Sequence, residues 1–147
     1  MTAESDLERR IRILEDIEAI KKLKAKYWAS VDSHNWEALA ECMTEDLVFE
    51  NPFFGKMEGR DFVVKVLKRS MRNVKTCHQG HNPDIEITGE ATATGKWSLN
   101  DRVEGPDRTI STGYGIYQDE YVKKNGTWKI KTSILNYIFP VVPPKTA

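Results

Sequence analysis

The chain has 147 residues, of which 39% are hydrophobic and 30% charged, the make-up of a single soluble globular domain and too apolar for a disordered segment. Its 22 basic residues are balanced by 22 acidic ones, which argues against a nucleic-acid partner, because such binding leans on a basic excess. No apolar run approaches the ~20 residues that span a bilayer, and the opening MTAESDLERRIRILED has no apolar signal core, so no membrane partner and a cytoplasmic location are expected.

Residues 6–34 read as a long helix, with a break allowed near Glu15. Ile13, Ile17, Ile20, Tyr27 and Val31 recur at mostly helical steps, joined by Leu14 and Leu23. Asn35 is a good cap for a short second helix, WEALAECM. A polar turn, TED, leads to a short strand, LVFEN. Pro52 ends that strand, and Phe53 to Lys56 can pair back on it. A third helix starts at Gly59 to Asp61, with Phe62, Val63, Val66, Leu67 and Met71 as its apolar positions. The basic clusters Lys21, Lys22, Lys24, Lys26 and Lys65, Lys68, Arg69, Arg72 lie on these helices and read as solvated surface.

After Asn73 the pattern turns to period two. One strand ends in Ile85, Ile87 and the turn residues Thr88 to Glu90. ATATGKWSLNDRV and STGYGIYQDEYVKK flank a loop with Gly105 and Pro106. Asn125-Gly126 then joins STGYGIYQDEYVKK to TWKIKTSILNYIF, the strongest short hairpin signal available. The prolines of PVVPPKT lack donors and exclude regular structure there. With no repeat and no linker, the whole chain, 1–147, reads as one domain. Helices followed by a strand meander predict an α+β fold, in which a curled antiparallel sheet is closed by helices around a cone-shaped cavity.

Three polar positions stand out. Asp32, in SVDSHNW, follows the apolar stripe of the first helix, where a carboxylate also serves simply as a cap. Tyr27 is five residues earlier, so on an ideal helix the two point roughly 140° apart. His78 and His81 lie in TCHQGHNP. With Cys77 they resemble a metal set, but strand alternation sends Cys77 and His78 to opposite faces, and likewise His78 and His81, so no metal site is expected. Simple alternation puts His81 with the core residues Ile85 and Ile87. A bulge at Asn82-Pro83 would reset the parity and choose His78 instead. The pattern leaves both open. Cys42 and Cys77 read as reduced thiols. The many aromatics suit a flat, apolar ligand, and Trp28, Phe49, Phe54, Trp97, Tyr114 and Tyr137 are the expected lining.

The segments DIEAIKKLKAKY, TATGKWSLNDR and NGTWKI, together with the Thr76-to-Gly80 string T-x-H-x-G, resemble the nuclear transport factor 2-like superfamily in its SnoaL-like, scytalone-dehydratase-like branch. Within that branch the likeness is greatest to the bile-acid 7α-dehydratases. The resemblance covers about residues 16–139 and implies an α+β cone with an Asp–His dyad. The aspartate falls on Asp32, the histidine on His78 and an active-site tyrosine on Tyr27. A second histidine of scytalone dehydratase aligns with Trp97, and a last-strand arginine of the bile-acid enzymes aligns with Tyr137, so a steroid substrate is not implied by these positions.

An imidazole with an unperturbed pKa of ~6.5 is a good general base, and a carboxylate on one ring nitrogen fixes its tautomer and aims the other. The expectation is a cofactor-independent dehydratase-type lyase acting on a small hydrophobic, cyclic or steroid- or polyketide-like molecule, with Tyr27 as a hydrogen-bond donor. The alternatives are an isomerase or cyclase using the same base, and a non-catalytic binding protein. A curled sheet also needs cover, so a homo-oligomer is expected, a trimer or dimer by the resemblance.

Overall fold

The computed structural model describes residues 4–139; the proline-rich tail read above as irregular lies outside them. Helix α1 runs unbroken over Asp6–Asp32, without the break allowed near Glu15. Ser5 and Glu8 close its start as a reciprocal capping box. The first three turns stand clear of the core, with Leu7, Ile11 and Leu14 exposed. Burial begins at Asp16 and takes in Ile20, Tyr27, Trp28 and Val31. Helix α2 (Trp36–Glu41) is capped by Asn35, whose side chain accepts from the Ala38 N–H at 3.1 Å. Helix α3 (Arg60–Ser70) buries Val63 and Leu67 and leaves Phe62 on its outer side, 55% exposed, contrary to its place in the expected stripe.

The strands are β1 (Met43–Asn51), β2 (Gly55–Glu58), β3 (Lys75–Gly89), β4 (Thr92–Glu104), β5 (Ile110–Lys124) and β6 (Thr127–Tyr137). Thr44 to Asp46, expected as a turn, belong to β1 at the place where its register against β6 shifts. Asn125 and Gly126 both have positive φ, as the expected two-residue hairpin requires. The sheet order is β2-β1-β6-β5-β4-β3. The meander β3 to β6 and the β1–β2 hairpin are antiparallel, as expected; β1 joins β6 in parallel, so the six-stranded sheet is mixed. The α+β class is as read from the sequence.

Helix α1 crosses the sheet and packs on β3 and β6. Antiparallel pairing lines up rows across the inner face. His78, Asp101 and Gly113 form one row; Gly80, Leu99, Gly115 and Tyr137 form the next. The buried rings of Tyr27, Trp28, Trp97, Tyr117 and Tyr121 fill the middle of the cone. A lysine is sealed among them. Lys24 is fully buried, with its ammonium 2.8 Å from Asp119 Oδ2 and 4.0 Å from the Tyr117 ring centre. This is a close charge pair rather than an aligned hydrogen bond. Asp119 also accepts from Tyr121 (2.7 Å) and Ser133 (2.8 Å).

Candidate active site

The bulge at Asn82-Pro83 decides which histidine faces inward. His81 pairs with Ser98 and Asp84 with Lys96, so two residues of β3 oppose one of β4. Asn82 takes a positive φ of 50° to make the turn. The extra residue shifts alternation by one. Thr76, His78 and Gly80 therefore share the inner face with Ile85 and Ile87, while Cys77 and His81 point to solvent. The Cys77, His78 and His81 side chains do not converge. Both cysteines are free thiols, Cys42 buried just after α2 and Cys77 exposed.

Asp32, in the last position of α1, reaches β3 and takes three contacts. The Thr76 hydroxyl donates to Oδ1 at 2.8 Å, the His78 main-chain N–H donates to Oδ2 at 2.9 Å, and His78 Nδ1 lies 2.6 Å from Oδ1. Burial drives the Asp32 carboxyl upward, but hydrogen bonds from the His78 ring, its main chain and Thr76 together outweigh it and hold the group below its ordinary value. With Nδ1 engaged, Nε2 is the free end of the ring. The His78 side chain is 13% exposed. It lines a groove of about 580 Å³ between α1 and the edge strand β3, whose floor includes Trp28, Trp97, Gly80 and Pro83.

Gly80 is fitted to this groove. A Cβ there would stand 1.9 Å from Trp28 Cη2, so only glycine lets the indole lie against the strand. Trp28 in turn packs edge-on against Trp97, with ring centres 5.2 Å apart. The Trp97 N–H is committed to the Tyr121 hydroxyl at 3.0 Å, so Trp97 offers the groove an apolar face. Asp32 also borders a second cleft of about 700 Å³ at the mouth of the cone, rimmed by Arg72, Lys75, Glu104 and Arg108. A cleft of about 800 Å³ between α2 and α3 carries Lys65, Lys68, Arg69 and Arg72 on its rim, all exposed as expected of helix surface.

Tyr27, expected as an active-site donor, and the other expected lining residues sit elsewhere. Tyr27 is buried edge-on to Tyr117, ring centres 6.5 Å apart, and is not part of the wall beside His78; helix geometry keeps it apart from Asp32 because α1 stays regular to its end. Burial raises its phenol well above the ordinary value. Phe49 is core, and Phe54 packs half-buried against the core. Tyr114 is a correction: alternation along β5 turns it outward, 50% exposed, opposite to Gly113, Gly115 and Tyr117. Tyr137 points inward and donates to Asp101 Oδ2 at 2.5 Å. Asp101, Thr76 and the Lys24–Asp119 pair were not picked out from the sequence. The alternation of ATATGKWSLNDRV would have placed Asp101 on the face of Trp97 and Leu99.

A curled mixed sheet wrapped on a long helix makes an α+β cone, a fold shared with a nuclear transport factor 2-like protein that has a cystatin-like fold. The SnoaL-like domain matches residues 12–133, and the chain belongs to that family. A protein from Novosphingobium aromaticivorans provisionally named scytalone dehydratase is 24% identical over 91% of this chain and 96% of its own, with a TM-score of 0.79. Hexachlorocyclohexane dehydrochlorinase LinA-type3 from Novosphingobium barchaimii LL02 is 18% identical, with 97% of each chain covered and a TM-score of 0.82. A nuclear transport factor 2-like protein with a cystatin-like fold from N. aromaticivorans is 21% identical over 95% of this chain and 93% of its own, with a TM-score of 0.78. Among the described residues no helix is long and apolar enough to cross a membrane.

Proposed function

We propose that the protein is a cofactor-independent lyase of dehydratase type, with His78 as general base and Asp32 as the group that orients it. The observation that carries this reading is the 2.6 Å contact between His78 Nδ1 and Asp32 Oδ1, which leaves Nε2 as the free nitrogen of a ring that lines the groove with Trp28 and Trp97. Two of the related folds are named for eliminations, which lends support at the level of reaction class. Nε2 takes a proton from carbon beside a carbonyl or unsaturated system. The electron pair of that C–H bond becomes the new double bond as the C–O bond breaks. The imidazolium returns its proton to the departing oxygen, so water leaves and the dyad resets. The apolar floor of Trp28 and Trp97 suits a small cyclic substrate. The likeness to bile-acid dehydratases suggests an alicyclic alcohol, up to steroid size, as the first compounds to try.

Since the substrate is unnamed, the base is tested on 5-nitrobenzisoxazole, which opens when a base removes its ring C–H. Wild-type protein is expected to exceed imidazole at equal concentration, and His78→Ala to lose at least the ~10² that a general base supplies. A wild type no better than imidazole, or a His78→Ala variant as fast as wild type, overturns the assignment.

We further propose a homo-oligomer, a trimer or dimer. Its contact would cover Leu7, Ile11 and Leu14 on the free turns of α1 and Ile110, Tyr114 and Ile116 on the outer face of β5, all exposed. Light scattering after size exclusion decides this; a monomer at micromolar concentration removes it.

A further inference from the structure

The cleft of about 800 Å³ between α2 and α3 lies outside the groove that holds His78. Its size falls within the range of pockets that hold small molecules. One wall is flat: the His34 ring stacks on Trp36, with ring centres 5.3 Å apart and planes 20° from parallel. His34 follows the end of α1 at φ 57°, where the Asn35 N–H donates to the Ser30 carbonyl at 2.9 Å and closes the helix. Glycine is the usual residue at such a position, so a histidine is held there against strain. Its Nε2 is shut off from solvent and has no hydrogen-bond partner among the described residues. What this strained position supplies is a ring laid on Trp36. Ala40 and Val64 add apolar surface to the cleft.

The rim of the cleft is charged with one sign. Lys65, Lys68 and Arg69 share a face of α3 at three- and four-residue spacing, and Arg72 follows just beyond the helix. None of the four has an ion-pair partner among the described residues. The carboxylate in the lining, Asp61, is bonded to Arg60 at 2.9 Å. The carbonyl end of α3 favours Lys68 and Arg69, but it answers only about half an elementary charge. Four like charges around one apolar cleft, in a chain of zero net charge, call for an anion. A carboxylate brings a single charge. A phosphoryl group brings about two, with oxygens that match the forks of two guanidiniums.

We propose that this cleft is a binding site for a phosphorylated aromatic ligand of mononucleotide size, with its ring against His34 and Trp36 and its phosphoryl group held by Arg69 and Arg72. Stacking supplies affinity for any flat ring without reading its edge. His34 and Arg72 also line the cleft at the mouth of the cone that Asp32 borders, so the ligand sits one cleft away from the dyad. The site does not depend on the elimination proposed above, and no bond is made or broken in it.

Isothermal titration calorimetry with AMP, adenosine and ribose 5-phosphate separates the two halves of the site. Wild type is expected to bind AMP at least about tenfold more tightly than either fragment. The pair Arg69→Ala and Arg72→Ala should bring AMP down to the affinity of adenosine, and Trp36→Leu should bring it down to that of ribose 5-phosphate. Each variant is checked for native circular dichroism. His34→Gly suits the left-handed backbone and keeps the fold even if Trp36→Leu does not, yet it should weaken AMP by removing half of the flat wall. The pair Lys22→Ala and Lys124→Ala takes the same charge from exposed positions outside the cleft and should leave AMP binding unchanged, as should His78→Ala. AMP bound no better than adenosine, no heat from AMP at millimolar concentration, or an equal loss in the arginine and lysine pairs overturns the site. So does AMP affinity that survives His34→Gly.

Discussion

Asp32 holds His78 at two points, through the main-chain N–H on Oδ2 and the ring nitrogen Nδ1 on Oδ1. The main-chain bond anchors the carboxylate to the very strand that carries the ring. The ring therefore meets a carboxylate already fixed relative to its own strand. Thr76 takes a further lone pair on Oδ1, so the carboxylate has little freedom of its own. A base held in this way loses little orientation when substrate arrives.

These contacts predict a pH signature. The folded pKa of Asp32 is depressed: burial opposes the charge, but the bonds from His78 and Thr76 together favour it. A group of this kind lends stability above its unfolded pKa of ~3.9 and loses it as pH falls through the folded value. Asp32→Asn is expected to cost about 1–3 kcal/mol at neutral pH. The gap to wild type should shrink as the solution is acidified below about pH 4. Urea unfolding of both proteins across this range measures it. A gap that stays constant or widens in acid contradicts the account.

Lys24 and Asp119 make a different kind of pair, sealed from solvent behind the groove floor, with the ammonium 4.8 Å from the Trp28 ring centre. Burial lowers the Lys24 pKa, and the attraction of Asp119 works against that loss. Removing one partner strands the other charge in the core. Lys24→Met and Asp119→Asn are each expected to destabilise by about 3–5 kcal/mol. The double variant should cost less than the sum, because no lone charge remains. Additive single effects in urea would show that the two side chains do not depend on each other. Opening of 5-nitrobenzisoxazole per folded molecule should stay close to wild type in each variant.

What the sequence revealed follows from which interactions are local. Helix spacing, the Asn35 cap and the Asn125-Gly126 turn are written in neighbouring residues, and the elements formed where these predicted. The parallel β1–β6 pairing has no local signal, since it joins segments some eighty residues apart. The contact of Asp32 with His78 was expected from resemblance; alternation alone could not choose between His78 and His81. Tyr114 was misplaced because aromatic content was counted without applying the period of two that Gly113, Gly115 and Tyr117 display. Lys24 read as surface because a lysine at helical spacing gives no sign that an aspartate on β5 will meet it. Asp101 was passed over for the same reason: its partner, Tyr137, is set by strand register.

Asn82 is the hinge of the whole assignment, and its substitution separates backbone conformation from side-chain chemistry. It sits at φ 50° in the bulge, one of four non-glycine residues with positive φ among those described. Glycine takes that conformation freely, whereas a β-branched residue is strained there by about 1–2 kcal/mol. Asn82→Gly should keep stability and benzisoxazole opening near wild type, and Asn82→Val should lose roughly that amount of stability. Deleting Asn82 is harsher. It restores one-to-one pairing with β4, so either Thr76 and His78 or Ile85 and Ile87 must turn outward. If the strand keeps its core isoleucines, His78 leaves Asp32 and opening of the probe is lost. If it keeps His78, the apolar pair is exposed and urea sensitivity rises steeply. A deletion variant with both wild-type stability and wild-type turnover would mean that the bulge does not set which histidine faces the groove.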